Sequence, residues 1–167
     1  MRIVFLDMDG VMNDQDWIYY IHNITKYKNK TSWETKILQT SPDRVERLNR
    51  ILEATGAKLV MISTWRLSLR NKLPQFYLEA GINGESMGQT GQSSTRAEEI
   101  LKWLSDHPEV TSYVVLDDEP DSRIWDFSFF PELAQRWVKT SWNIPGHKGG
   151  LQDEHVEAAI RILEENP

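Results

Sequence analysis

The sequence contains no cysteine, so it forms no disulfide and offers no thiolate to a metal, a usage that fits a reducing compartment. It has no apolar run near the roughly 20 residues that span a bilayer, and its first residues lack the basic and small-residue flanks of a secretion signal. These absences set the expectation of a cytoplasmic protein with no membrane partner. Positive charge is in deficit as well: 19 Lys and Arg stand against 25 Asp and Glu, a formal net charge of −6. That balance argues against a surface that binds polyanions everywhere and directs attention to local clusters. No repeat and no low-complexity tail points to a partner.

What is present is a chain of 167 residues, 40% hydrophobic and 26% charged, long enough to bury one real core and short enough to be a single domain over residues 1–167. The apolar run Arg2 to Leu6 reads as a strand covered on both faces. Residues 12 to 40 follow neither the helical nor the strand period and read as an inserted, partly irregular segment. Ser41-Pro42 marks a helix start, and Val45, Leu48, Ile51 and Leu52 continue it at helical spacing until Gly56. Ala57 to Ile62 is the second strand. A short helix is expected over Leu73 to Ala80, then a turn-rich loop from Asn83 to Ser94. Thr95 with Glu98 three residues on opens a helix whose apolar face holds Ile100, Leu101 and Leu104. Thr111 to Leu116 is the third strand, Arg136 to Lys139 a short fourth, and a last helix lies near Leu151 to Leu163.

Strands alternating with helices imply an α/β fold, a mainly parallel sheet with helices on both faces. Function in such sheets lies beyond the carboxyl ends of the strands. Three strands end there in polar clusters: Asp7 and Asp9 before Gly10, then Ser63, Thr64 and Arg66, then Asp117 and Asp118. Carboxylates gathered at close range need a compensating cation, and an oxygen-only set selects a hard ion such as Mg2+. Magnesium commonly takes a substrate phosphate as well. Asp7 can attack phosphorus and form an acyl phosphate; Asp9 can protonate the leaving oxygen and then activate water. Gly10 permits the tight backbone path between them. Ser63 or Thr64 can donate a hydroxyl to a phosphate oxygen, and Arg66 and Arg96 can supply fixed positive charge. The four histidines, His22, His107, His147 and His155, lack ligand spacing. Asp14 and Asp16 read as loop acids, and Asp121 as a weak addition to the metal set.

These residues resemble the haloacid dehalogenase (HAD) superfamily of aspartate-nucleophile phosphatases. FLDMDGV is similar to its first motif, LVMIST to the second, Arg96 in TRAEEILKWL to the third, and VVLDDEPD to the fourth, in order over almost the whole chain. The third position is Arg96 where lysine is commoner. The resemblance implies a Rossmann-like HAD fold with a small cap insertion at about 13–40. It also implies Asp7 and Asp9 as catalytic pair, a metal held by Asp7, Asp9 through its backbone carbonyl, Asp117 and Asp118, and phosphate bound by Ser63 or Thr64, Arg66 and Arg96.

STWR, R-x-E-E-I-x-x-W-L and LDDE are similar to phosphatase domains associated with RNA repair and to the phosphatase half of polynucleotide kinase/phosphatases. Their spacing favours Thr64 as the hydroxyl of the second motif. The substrate so implied is a phosphorylated nucleic-acid end, RNA or DNA. LDDEPD and DMDGV also resemble 5′(3′)-nucleotidases, which keeps mononucleotides open, and a catalytically silent phosphate- or RNA-binding module is the reading from another class. A kinase or ligase partner is left open. Lys26, Lys28, Lys30 and Lys36, interleaved with Tyr27 and Trp33 in the insert, have the composition that holds a single-stranded backbone.

Overall fold

The computed structural model describes residues 1–24, 30–118, 127, 130–142 and 149–165. Strand β1 (Arg2–Leu6) occupies the centre of a five-stranded sheet. It pairs in parallel with β2 (Lys58–Met61) on one side and β4 (Ser112–Asp117) on the other. The outer strands are β3 (Ser86–Gln89) beside β2 and β5 (Trp137–Lys139) beside β4, giving the order β3-β2-β1-β4-β5, all parallel. An apolar run without alternation is what such a sheet demands, because both of its faces are covered.

Alternate residues of each strand feed two cores. Val4, Leu6, Leu59, Met61, Val114 and Leu116 pack against α3 (Pro42–Thr55), α5 (Leu73–Ala80) and α8 (Asp153–Glu165). Ile3, Phe5, Val60, Ile62 and Val115 pack against α6 (Arg96–Ser105) and Leu133 of the short α7 (Pro131–Ala134). The chain therefore has the α/β, Rossmann-like architecture expected. Among the described residues no helix is long and apolar enough to cross a membrane.

Two expectations of secondary structure are corrected. The insert forms helices α1 (Gln15–Ile24) and α2 (Ser32–Gln39) on either side of residues 25–29. Its period is hidden because α1 buries only Ile21 and is rich in aromatic and β-branched residues of modest helix propensity. Helix α2 is held by a capping box, Thr31 with Glu34, and lies on α5 through Trp33, whose ring meets Phe76 edge-on at 6.1 Å. The second correction is β3, inside the expected loop from Asn83 to Ser94. SMGQ has no strand pattern of its own and pairs at the sheet edge with a register irregularity opposite Leu59 and Met61, an instance of tertiary pairing overriding weak propensity. Lys26, Tyr27, Lys28, Asp121 and His147 lie outside the described residues.

Asp14 is not the solvated loop acid it reads as. Its carboxylate caps α1 by accepting from the Trp17 amide at 2.7 Å and forms a buried ion pair with Arg44, which also donates to the Gly149 carbonyl at 2.8 Å. This pair ties the start of the insert and the turn before α8 to α3. Removing one partner strands the other charge in the interior. Arg44→Ala should lower unfolding stability by about 3–5 kcal/mol in urea titration, whereas Arg44→Met combined with Asp14→Leu should lose much less.

Candidate active site

Sheet register decides which polar residues meet. Leu6 lies level with Met61 on one neighbour and with Leu116 on the other. The ladder carries one step further, through Asp7 N–H to the Leu116 carbonyl and Ile62 N–H to the Leu6 carbonyl, each 3.0 Å. Asp7, Ser63 and Asp117 consequently emerge at one rim. Carboxylate oxygens of Asp7, Asp117 and Asp118 all lie within 4.8 Å of one another. Arg96, the first residue of α6, places Nη1 2.6 Å from Asp117 Oδ2 and 3.5 Å from Asp7 Oδ2. Gly10 makes room for this cluster: its φ is +75°, and a Cβ there would lie 2.3 Å from the Asp118 carboxyl carbon. An alanine would meet both a left-handed backbone and a carboxylate.

The electrostatics follow from burial. Asp7 and Asp117 are almost without solvent contact. Desolvation is the largest influence on Asp7; Arg96 opposes it, the Asp117 charge adds to it, and bonds from the Met8 amide and the Ser63 hydroxyl lower it, for a net pKa pushed up to about 7. Among the described residues, Arg96 is the guanidinium paired with Asp7 and Asp117. The donor set is oxygen only and closely spaced, which fits a hard divalent cation.

The remaining sequence candidates divide. Ser63 is buried and its hydroxyl bonds the Asp7 carboxylate, while Thr64 is exposed at the rim. The Asp9 side chain is exposed and stands apart from the cluster: Oδ2 accepts from Trp65 Nε1 at 2.9 Å and Oδ1 from Asn13 Nδ2 at 3.0 Å. Arg66 is buried and donates to both Glu99 oxygens at 2.8 Å, to the Ile62 carbonyl and to the Gly91 carbonyl. Glu99 also accepts from Thr90 Oγ1 at 3.3 Å and the Ser93 amide at 3.2 Å. Since Glu99 lies one turn after Arg96, this buried pair joins the turn carrying Ser63 to the helix carrying Arg96. Trp65 and Glu99 fall within the motifs STWR and R-x-E-E-I-x-x-W-L, but the sequence assigns no role to them or to Asn13. Their roles depend on neighbours 56, 33 and 4 residues away, and only Asn13, beside Asp9, carried a local signal.

The same arrangement of acids after β1 and β4, with an arginine opening α6, agrees with a match over residues 3–156 to the family model described as the HAD domain in Swiss Army Knife RNA repair proteins. The chain belongs to that family. Searches of curated proteins and of solved structures each return no significant match. Within this HAD domain, Asp7, Asp117 and Asp118 lie close enough together to share a metal ion, and no other group of His, Asp or Glu among the described residues comes together in that way.

The raised pKa of Asp7 has a measurable sign. In the unfolded chain this carboxyl titrates near its ordinary 3.8 and in the folded domain near 7, so between those values folding takes up a proton and stability falls as pH rises. Metal-free protein should show thermal midpoints that decline from pH 5 to pH 8 relative to those of Asp7→Asn, followed by circular dichroism in a chelator. Parallel curves for the two proteins would contradict the burial of Asp7 beside Asp117.

Proposed function

We propose that this HAD domain is a Mg2+-dependent phosphomonoesterase that works through an aspartyl phosphate on Asp7 and removes a terminal phosphate from nucleic acid. The observation that carries the reading is the position of Arg96 between Asp7 and Asp117, a fixed cation beside a carboxylate already at the mouth of a three-acid cluster. Asp7, Asp117 and Asp118, with the Asp9 backbone carbonyl, would hold the ion. Bound there, Mg2+ neutralises carboxylate and phosphate charge and favours the ionised form of Asp7.

In the first step Asp7 Oδ forms a bond to phosphorus as the bond to the leaving oxygen breaks, and Asp9 gives that oxygen its proton. In the second, Asp9 removes a proton from water, the water oxygen bonds phosphorus, and the bond from phosphorus to Asp7 breaks to release inorganic phosphate. Both Asp9 oxygens accept hydrogen bonds, from Trp65 and Asn13, which fix the direction of its carboxyl. Arg96 follows the charge on the equatorial oxygens. Ser63, bonded to Asp7, and Thr64 at the rim supply hydroxyl donors. Arg66 acts as a positioning residue through Glu99 and the Ile62 carbonyl.

The test is a Mg2+-dependent assay with a generic aryl phosphate and a panel of 3′-phosphorylated oligonucleotides, 5′-phosphorylated oligonucleotides and free nucleotides. Asp7→Asn should reduce kcat by at least about a thousandfold, and oligonucleotides should have the higher kcat/KM. Full turnover in Asp7→Asn overturns the nucleophile; preference for free nucleotides identifies a nucleotidase; phosphate or RNA affinity with no turnover identifies a silent binding module.

A further inference from the structure

A cavity of about 430 Å3 lies between α2 of the insert and the segment formed by α4 (Arg66–Leu69) with the 3-10 turn Arg70–Lys72. It is separate from the carboxylate cluster. Trp33 and Lys36 of α2 line one side and Ser68, Arg70, Asn71 and Lys72 the other, with no acidic residue in the lining. Among the described residues none of the three cations forms an ion pair with an acid, although the protein as a whole is acidic, with a net charge of −6. The Lys72 ammonium sits 5.8 Å from the Trp33 ring centre, and Glu79 accepts the indole N–H of Trp33 at 2.6 Å, which orients the ring. Arg70 is the one non-glycine residue with positive φ, +44°, among those described. Such a conformation is unfavourable for a side chain bearing Cβ and persists where the surroundings impose it.

The cavity is wired to the reaction centre. Lys36 Nζ lies 4.3 Å over the ring of Trp65, and the Nε1 of that same indole holds Asp9. One aromatic side chain therefore separates the inner end of the cavity from the group assigned to proton transfer. A concentration of cations with an interleaved aromatic, next to a site for a terminal phosphate, is the chemistry that tracks a single-stranded backbone and takes a base against a ring.

We propose that this cavity is a subsite for the nucleotide adjoining the reacting end of a single-stranded polynucleotide, with Arg70, Lys72 and Lys36 on its phosphodiester and Trp33 beside its base. The proposal rests on the phosphatase reading for what occupies Asp7, and it extends that reading by explaining how an oligonucleotide is distinguished from a free nucleotide. The strand enters across α2 and the 70–72 turn and ends at the carboxylate rim.

The experiment measures fluorescence anisotropy of a labelled single-stranded RNA decamer with hydroxyl ends, bound to the full chain at several salt concentrations. Arg70→Gln with Lys72→Gln should weaken binding about tenfold and reduce the slope of log K against log salt by about 0.7, the value for one phosphate neutralised on a single strand. Lys72→Gln alone, at an exposed position, should give about half that slope change, which guards against misfolding of the double variant. In turnover, the double variant should raise KM for a phosphorylated oligonucleotide and leave that for an aryl phosphate unchanged. Unchanged affinity and slope in both variants overturn the subsite, as does binding of inorganic polyphosphate as tight as RNA. Aryl phosphate turnover is read separately: its absence overturns the phosphatase reading alone, and its presence with unaltered RNA binding overturns the subsite alone.

Discussion

Three carboxylates held within 4.8 Å of one another at the carboxyl edge of a parallel sheet are the constraint on which the rest of this domain depends. Left in an apolar setting, such a group protonates in preference to remaining charged, and Asp7 shows that pressure directly. Everything around it limits the penalty without removing it. Arg96 contributes one positive charge, Ser63 and the Met8 amide contribute hydrogen bonds, and Gly10 yields the volume that Asp118 occupies. What results is a close set of three carboxylates with oxygen donors only, the kind of set that suits a hard divalent cation.

Two ion pairs are buried away from the carboxylate cluster. Arg66 with Glu99 locks the turn after β2 to α6, and Arg44 with Asp14 locks the insert to α3. Both pairs are almost fully dry, so their net effect on stability is small relative to the damage done by breaking either one. Their value is geometric: α6 cannot slide without exposing Glu99, and Arg96 is carried with it. Two arginines thus hold the frame while a third, Arg96, faces the carboxylates.

That division explains what was legible beforehand. Strands β1, β2, β4 and β5, helices α3, α5 and α6 and the acidic ends of β1 and β4 were readable because each is written in a local pattern: an apolar run, a helical period, a Pro after Ser41, a Thr95 and Glu98 cap. The cluster of Asp7, Asp117 and Asp118 followed from topology, since parallel strands deliver their ends to one rim. Arg66 looked like Arg96 in sequence, because which acid an arginine meets is settled 33 residues away at Glu99. Helices α1 and α2 were obscured by aromatics that pack on the domain or point outward, although the Thr31 and Glu34 pair carried a cap signal of the same kind as Thr95. β3 had no signal, being a strand only by virtue of its neighbour.

Burial and the Asp117 charge, opposed by Arg96, hold the Asp7 carboxyl above the ordinary carboxylate range in the metal-free domain. The direct measurement is a titration of the Asp7 carboxyl carbon by NMR in protein labelled with 13C-aspartate, assigned with Asp7→Asn, with and without Mg2+. The account predicts a metal-free midpoint near 7 that falls back toward the usual carboxylate range when Mg2+ is added. A carboxyl that titrates near 3.8 without metal and ignores Mg2+ would contradict it.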